Sequence, residues 1–164
     1  MIKLLITITT LVLFSACSSK NAFTTFNMSE EQERAVSSLL TSKIKSNDGK
    51  IDGVISVIYL NEIYPDSYHT NEYFFVYVFL KNKPKNDDVD EFNEELLNIT
   101  LNGEKPVKIK QLPTKNKFSH LTFIKSDWNK YYLVAFKKQE KSSINLVLEN
   151  GQSFSAPLMY QKGK

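Results

Sequence analysis

An uninterrupted apolar run, Tyr73 to Leu80, constrains the fold more than any other feature of the sequence. A strand with one face in water alternates apolar and polar residues, whereas this run is apolar on both faces. Glu72 to Lys81 is therefore predicted to be a central strand. The preceding run, Val54 to Leu60, is rich in the β-branched residues that strands favour, and it predicts a second strand.

Two Asn-Gly dipeptides predict β-hairpins further along the chain. Asn-Gly adopts the positive φ angles of a type I′ turn, which matches the twist of the strands on either side. Asn102-Gly103 and Asn150-Gly151 are each flanked by extended sequence patterns. The predicted strand pairs are 97–101 with 106–111, and 144–149 with 153–158.

Tyr131 to Lys138 supplies a seventh predicted strand. Seven short strands with turn signals between them, and no regularly intervening helices, are typical of a mostly antiparallel sandwich. The predicted fold class is therefore all-β, with the sandwich spanning residues 50–160. A chain of 164 residues of which 41% are hydrophobic is large enough for one such domain but not for two.

One amphipathic helix is predicted ahead of the strands, within residues 29–47. Ser29 and Gln32 have the spacing of a capping box. The apolar residues that follow have spacings of three and four, namely Val36, Leu39, Leu40 and Ile44. Asn47-Asp48-Gly49 is expected to end the helix. Its apolar stripe is expected to pack on the same domain, with docking of a partner helix as the alternative.

The first 16 residues have the pattern of a removable signal peptide, with an apolar segment from Leu4 to Phe14. That segment is too short to span a bilayer, which needs about 20 residues. Phe14-Ser15-Ala16-Cys17 resembles the lipobox of bacterial lipoproteins. The resemblance implies cleavage before Cys17 and attachment of a diacylglycerol and a fatty acid such as palmitate to it. The membrane would then be the first partner, with residues 17–28 as lipidated cysteine and flexible tether.

An acylated cysteine followed by a seven-stranded domain resembles the small immunoglobulin-like lipoproteins of Gram-negative envelopes. The resemblance implies an immunoglobulin-like β-sandwich and a non-enzymatic binding role, in adhesion or in an envelope complex. Ser18 resembles the residue that follows the cysteine in outer-membrane lipoproteins, so an outer-membrane location is expected. A structural or assembly accessory and, less favoured, a hydrolase are the alternatives. Nucleic acid is not an expected partner, because the net charge of +3 includes a single arginine.

Candidate binding residues lie mainly in the loop Asn61 to Asn71, between the two strongest predicted strands. The loop is rich in tyrosine, serine and asparagine, which recognition loops favour. The residues expected to bind there are Tyr64, Asp66, Tyr68 and His69. Trp128 joins them from the long connection Leu112 to Lys130, because long loops are uncommon unless functional or hiding a further short strand. Packing of the tyrosines on the core is the alternative, and whether the two loops meet is left open.

No motif of a catalytic, metal or cofactor site is present in the sequence. The two histidines, His69 and His120, stand outside any local metal or nucleophile pattern. Asp87 to Glu95 contains six carboxylates but lacks the spacing of an EF-hand, so a short solvated helix is favoured over a calcium site. We expect no cofactor other than the lipid, no metal and no enzymatic activity.

Overall fold

The computed structural model describes residues 28–81, 98–122, 126–150 and 153–163. The predicted signal peptide, Cys17 and the tether up to Asn27 lie outside these ranges, as do Asp87–Glu95 and Gly151. The predictions about those residues stay predictions. The described elements are α1 (Glu30–Ser38), β1 (Leu39–Ser46), β2 (Ile51–Tyr59), α2 (Leu60–Ile63), β3 (Asn71–Leu80), β4 (Asn98–Leu101), β5 (Lys108–Leu112), a 3₁₀ turn (Ser119–Leu121), β6 (Asn129–Lys137), β7 (Ser143–Asn150), β8 (Ser153–Ser155) and β9 (Leu158–Gln161).

Helix α1 begins at the predicted capping box. The Ser29 hydroxyl accepts the N–H of Gln32 at 3.3 Å, and the Gln32 side chain accepts the N–H of Ser29 at 2.9 Å. Three glutamates in the first turn, Glu30, Glu31 and Glu33, favour this end electrostatically because the helix dipole is positive there. The predicted start of the helix is therefore confirmed.

The predicted extent of this helix, up to Ser46, is wrong. The chain becomes extended at Leu39 and continues as β1, which pairs with β2. Leu40 and Ile44 are four residues apart, a spacing that fits one face of a helix and equally one face of a strand. Pairing with β2 favours the strand because it buries Ile44 completely. Asn47-Asp48-Gly49 turns the chain from β1 into β2, with Gly49 at φ 81.

The nine strands of the described residues form one sheet, in the order β4-β7-β8-β1-β2-β3-β6-β5, with β9 also paired to β7. Every pairing between them is antiparallel. The prediction of a mostly antiparallel all-β fold is confirmed, and β3 lies between β2 and β6 as its two apolar faces predict. Two strands exceed the predicted seven, because β1 replaces the end of the predicted helix and the segment 153–158 divides into β8 and β9.

The two Asn-Gly predictions have different outcomes. Asn102 at φ 51 and Gly103 at φ 83 form the first turn, and Leu101 and Glu104 exchange both backbone hydrogen bonds across it. The hairpin predicted beyond this turn is wrong, since β4 pairs with β7 and β5 pairs with β6. Pro106, which has no N–H, cannot continue the ladder. The second hairpin is confirmed by the two residue pairs that join β7 to β8.

The sheet curls so that its two arms enclose a core on the concave face. This core takes side chains from β1, β2, β3 and β6 on one arm and from β4, β7 and β9 on the other. The ring of Phe74 lies 5.0 Å from Tyr59, 5.8 Å from Phe136 and 5.7 Å from Tyr160. Burial of such a side chain stabilises the fold by roughly 1.5–3 kcal/mol. The aromatic residues of this face therefore hold the two arms together.

A second core lies on the convex face of β2, β3 and β6. Helices α1 and α2 and the 3₁₀ turn cover it, with Ala35, Ile63 and Leu121 among the side chains they bury. Phe75 of β3 lies beneath this cover, with its ring 5.2 Å from that of Phe118. The apolar residues on both faces of β3 are thus accounted for, and the helical cover places α1, α2 and the 3₁₀ turn side by side.

Candidate functional site

The two loops that the sequence offers as candidate sites meet in the structure. Lys117 donates from Nζ to the Tyr68 hydroxyl at 2.8 Å, and the Tyr64 hydroxyl lies 2.9 Å from Nε2 of His120. The Tyr64 hydroxyl also donates to the Glu31 carboxylate of α1 at 3.3 Å. Glu31, Tyr64, Tyr68, Lys117 and His120 form a continuous surface, to which we refer as the tyrosine patch.

The loop that carries the two tyrosines is clamped at its base by Asn61. Its Nδ2 donates to the carbonyl of Asn71 at 2.6 Å, and its Oδ1 accepts the N–H of Tyr73 at 2.7 Å. The backbone N–H of Tyr68 donates to the carbonyl of Tyr64 at 2.9 Å, which brings the two residues together within one tight turn. Because β3 begins at the clamp, the loop is fixed to the strand that lies deepest in the sheet.

Tyr64 joins a carboxylate and an imidazole in the polar half of the patch. His120 Nε2 lies 3.2 Å from Glu31 Oε2, so the three groups are mutually in contact. Burial and the neighbouring Glu31 raise the pKa of Tyr64 to about 12. The phenol is therefore protonated at neutral pH and acts as a hydrogen-bond donor, which is not the state of an activated nucleophile.

Tyr68 forms the aromatic half of the patch. Its ring centroid lies 4.8 Å from that of Tyr73 and 6.4 Å from that of Phe118. The Lys117 ammonium lies 4.7 Å from the Phe118 ring centroid, within the range of a cation–π interaction. A shallow cavity of about 360 Å³ opens beside it, lined by Tyr64, Ser67, Tyr68, Lys117 and Phe118. The tyrosines are half-buried and pack against the second core, so each has an apolar body fixed in the fold and a hydroxyl at the surface.

Of the other predicted binding residues, Asp66 and His69 lie on the loop that carries the patch, and Trp128 lies far from it. Asp66 and His69 are exposed on the same loop, and His69 Nδ1 lies 3.0 Å from the Asp66 carbonyl. Trp128 is 67% exposed but immediately precedes Asn129, which pairs with Phe79 at the opposite end of β3. With about 3.3 Å per strand residue, Trp128 is separated from the loop by roughly 26 Å along the sheet. Trp128 is therefore not part of the tyrosine patch.

A buried polar cluster was not predicted from the sequence. Glu72 is fully buried at the start of β3 and accepts hydrogen bonds from the Tyr59 hydroxyl, the Gln139 N–H at 2.9 Å and the Lys162 ammonium at 2.9 Å. These hydrogen bonds and the Lys162 charge outweigh burial and lower the pKa of Glu72. Burial and Glu72 together raise the pKa of Tyr59. A single carboxylate inside an otherwise apolar strand is the sequence signal that could have indicated this cluster.

The described part of the chain contains no group of three or more histidine, cysteine, aspartate or glutamate residues able to hold a metal ion. Across those same ranges, no helix is long and apolar enough to cross a membrane. In comparisons with known proteins, no family model, no curated protein and no solved structure matches this chain.

Proposed function

We propose that this chain is a lipid-anchored lipoprotein of a bacterial envelope, and that its β-domain is a non-enzymatic module that binds another protein or surface macromolecule through the tyrosine patch. The lipobox-like sequence ending at Cys17 supports the anchor. Ser18 after that cysteine supports an outer-membrane location. A structural or assembly role within an envelope complex is the second candidate and would use the same surface.

The tyrosine patch carries this proposal. Tyrosine contributes a large contact area at a low cost in conformational entropy, and here the base of each ring is already fixed by packing. Lys117 places a donor beside the Tyr68 hydroxyl, His120 places an imidazole nitrogen beside the Tyr64 hydroxyl, and Glu31 adds an acceptor. A rigid surface that mixes aromatic area with both kinds of polar group suits a protein or carbohydrate surface better than a small molecule.

The immunoglobulin-like sandwich belongs to the same proposal. The concave core draws its side chains from two arms of the curled sheet, as the two layers of a sandwich would supply them. β8 is shared between β1 and β7, and it is the element through which the arms stay continuous. Such domains are generally binding or scaffolding modules, which agrees with the role proposed for the patch.

The anchor is tested by replacing Cys17 with serine. Cys17→Ser should abolish labelling by a fatty-acid analogue and move the protein from the membrane fraction to the soluble fraction. Wild-type protein carried through the same fractionation is the control. Retention of the variant in the membrane fraction, still labelled, contradicts a lipid on Cys17.

The binding surface is tested in intact cells by site-specific photo-crosslinking from Asp66, at the exposed tip of the loop. We expect a discrete covalent adduct, and we expect Lys117→Glu to reduce its yield at least fivefold while the melting temperature stays unchanged. The same crosslinker at Asp127, in the exposed turn before β6 at the opposite end of the sheet, is the matched control and should give no such adduct. Recognition through the patch is refuted if both positions give an adduct in equal yield, or if Lys117→Glu does not change the yield from position 66.

A further inference from the structure

In the described sheet, the edges of β1 and β9 that lie next to each other are not hydrogen-bonded to each other, and we refer to this gap as the β1–β9 seam. β1 pairs with β2 over Leu39–Lys45 on one side, but on its other side only Ile44–Ser46 are paired, with β8. β9 pairs with β7 over its whole length, and no described strand pairs with its other edge. Two strand edges with unpaired backbone groups therefore lie on either side of the seam. Cα atoms of β1 and β9 come within 8 Å of each other, whereas a strand paired to both needs roughly 9.6 Å between them, so a third strand can enter only where the seam widens.

The chain itself explains why the seam stays open. Ser155 is the last residue to bridge β1, and the next two residues, Ala156 and Pro157, lead into β9 without pairing. Proline lacks an N–H and cannot extend the ladder. In an antiparallel strand alternate residues direct their N–H and C=O groups to opposite sides, so part of the Leu39–Lys43 backbone is directed into the seam. Exposed edges of this kind are ready templates for another strand.

A cavity of about 260 Å³ occupies the end of the seam away from β8. Its lining combines side chains of α1, β1, α2 and β9, namely Ser37, Ser38, Leu40, Glu62, Met159, Tyr160 and Gln161. Met159 is 60% exposed, so an apolar side chain stands beside the free edge of β9. The cavity has polar and apolar walls and is open to solvent, as a site for a polypeptide requires.

Glu62 gives the seam a charge. Burial raises the pKa of its carboxyl, and the hydrogen bond from Ser38 only partly offsets this effect. Ser38 is held in place because its Oγ accepts the N–H of Tyr59 at 3.2 Å. None of the ion pairs formed among the described residues includes Glu62. Arg34 lines a neighbouring cavity with Glu62, but its guanidinium pairs with Glu30 instead. The seam therefore offers a carboxylate that forms no ion pair within the described part of the chain.

We propose that the β1–β9 seam binds an extended polypeptide segment of a partner protein by β-strand addition. The free backbone groups of β1 and β9 form the hydrogen bonds, Met159 contacts an apolar side chain, and Glu62 pairs with a lysine or arginine of the segment. Main-chain pairing provides the affinity in this mode of recognition, and side-chain contacts provide the specificity. The inference does not depend on the tyrosine patch, because the cavity beside the patch shares no lining residue with the cavity of the seam.

The test is hydrogen–deuterium exchange on the purified full chain in mild detergent, with a synthetic heptapeptide, Lys-Val-Thr-Val-Thr-Val-Lys, as the probe. At millimolar probe we expect exchange of the amides in 39–43 and 158–161 to slow at least fivefold. The same peptide with proline at its centre should give no protection. Glu62→Gln should weaken probe binding up to about fivefold, which is the size of an ion pair at a half-exposed site. Asp127→Asn, at the exposed turn before β6, is the matched control and should leave binding unchanged.

Three outcomes would overturn the proposal. One is the absence of protection in either strand edge at millimolar probe. Another is protection confined to the outer edge of β5, Lys108–Leu112, which would show ordinary edge pairing without use of the seam. The third is that the amides of 39–43 and 158–161 are already protected before any probe is added, and that this protection is lost when residues 18–27 are replaced by glycine and serine. The seam would then be occupied by the chain's own N-terminal segment.

Discussion

The buried pair Glu72–Lys162 allows a quantitative test of how the two arms of the sheet are held together. Glu72 is fully buried at the start of β3, whereas Lys162 follows β9 and keeps 19% of its side chain exposed. Glu72→Leu removes the acceptor of three donors and leaves the ammonium without its carboxylate. Breaking a buried pair from one side costs about 3–5 kcal/mol of unfolding free energy. At about 2–4 °C per kcal/mol for a domain of this size, the melting temperature should fall by about 6–20 °C.

A double-mutant cycle separates the pair from its surroundings. Lys162→Met should destabilise less than Glu72→Leu, because the remaining carboxylate keeps the Tyr59 hydroxyl and the Gln139 N–H. In the double variant neither charge is left unpaired, so its loss should be smaller than the sum of the two single losses by about 1–3 kcal/mol. Urea unfolding followed by far-ultraviolet circular dichroism measures all four free energies. Strict additivity of the two losses would refute a direct Glu72–Lys162 interaction.

Further predictions concern packing, pH, the patch and metals. Gly53→Ala should destabilise by more than about 2 kcal/mol, because its Cβ would lie 2.2 Å from the Phe79 carbonyl; an unchanged urea midpoint would contradict this contact. The pKa of Glu72 is lower in the folded state than its value near 4.5 in the unfolded chain, so Glu72 stabilises the fold at pH values above 4.5 and this contribution is lost as the pH falls through the folded-state pKa. Glu72→Gln should therefore make the free energy of unfolding less dependent on pH in the acid range. Tyr68→Ala should lower the melting temperature by several degrees whereas Tyr68→Phe should not, and equal effects would exclude packing as the role of the ring. Chelator should leave the melting temperature unchanged, and a calcium-dependent rise would point to a site in the acidic segment.

The local elements of this fold could be predicted from the sequence, whereas the pairing of strands that are far apart in sequence could not. The apolar faces of β3 predict its central place, and the capping box predicts the start of α1. The spacing of Leu40 and Ile44 fits both helix and strand, so only the pairing with β2 decides between them. The Asn102-Gly103 turn is present, yet its two flanking strands pair with β7 and β6. Local turn chemistry fixes a reversal of the chain but not the partners that follow it.

The candidate site shows the same division. Residue type alone identifies the loop that carries Tyr64 and Tyr68, because tyrosine-rich turns favour recognition. The contact with His120 and Glu31 joins residues 56 and 33 positions away in sequence, and no local pattern indicates it. Trp128, like the tyrosines, is predicted to bind because it is an aromatic residue in a long loop. The antiparallel register of β3 and β6 places it at the other end of the sheet.

One short segment, residues 60–71, connects the two proposed binding surfaces. Glu62 lines the seam beside β9, and Tyr64, two residues later, lies in the tyrosine patch. The segment is α2 and a turn clamped at its base by Asn61, and it is covered by α1 on one side. Ligands at either surface would therefore meet a geometry that the fold has already fixed. Since ordering a loop at the moment of binding lowers affinity, this preorganisation favours the segment as the place where the domain recognises its partners.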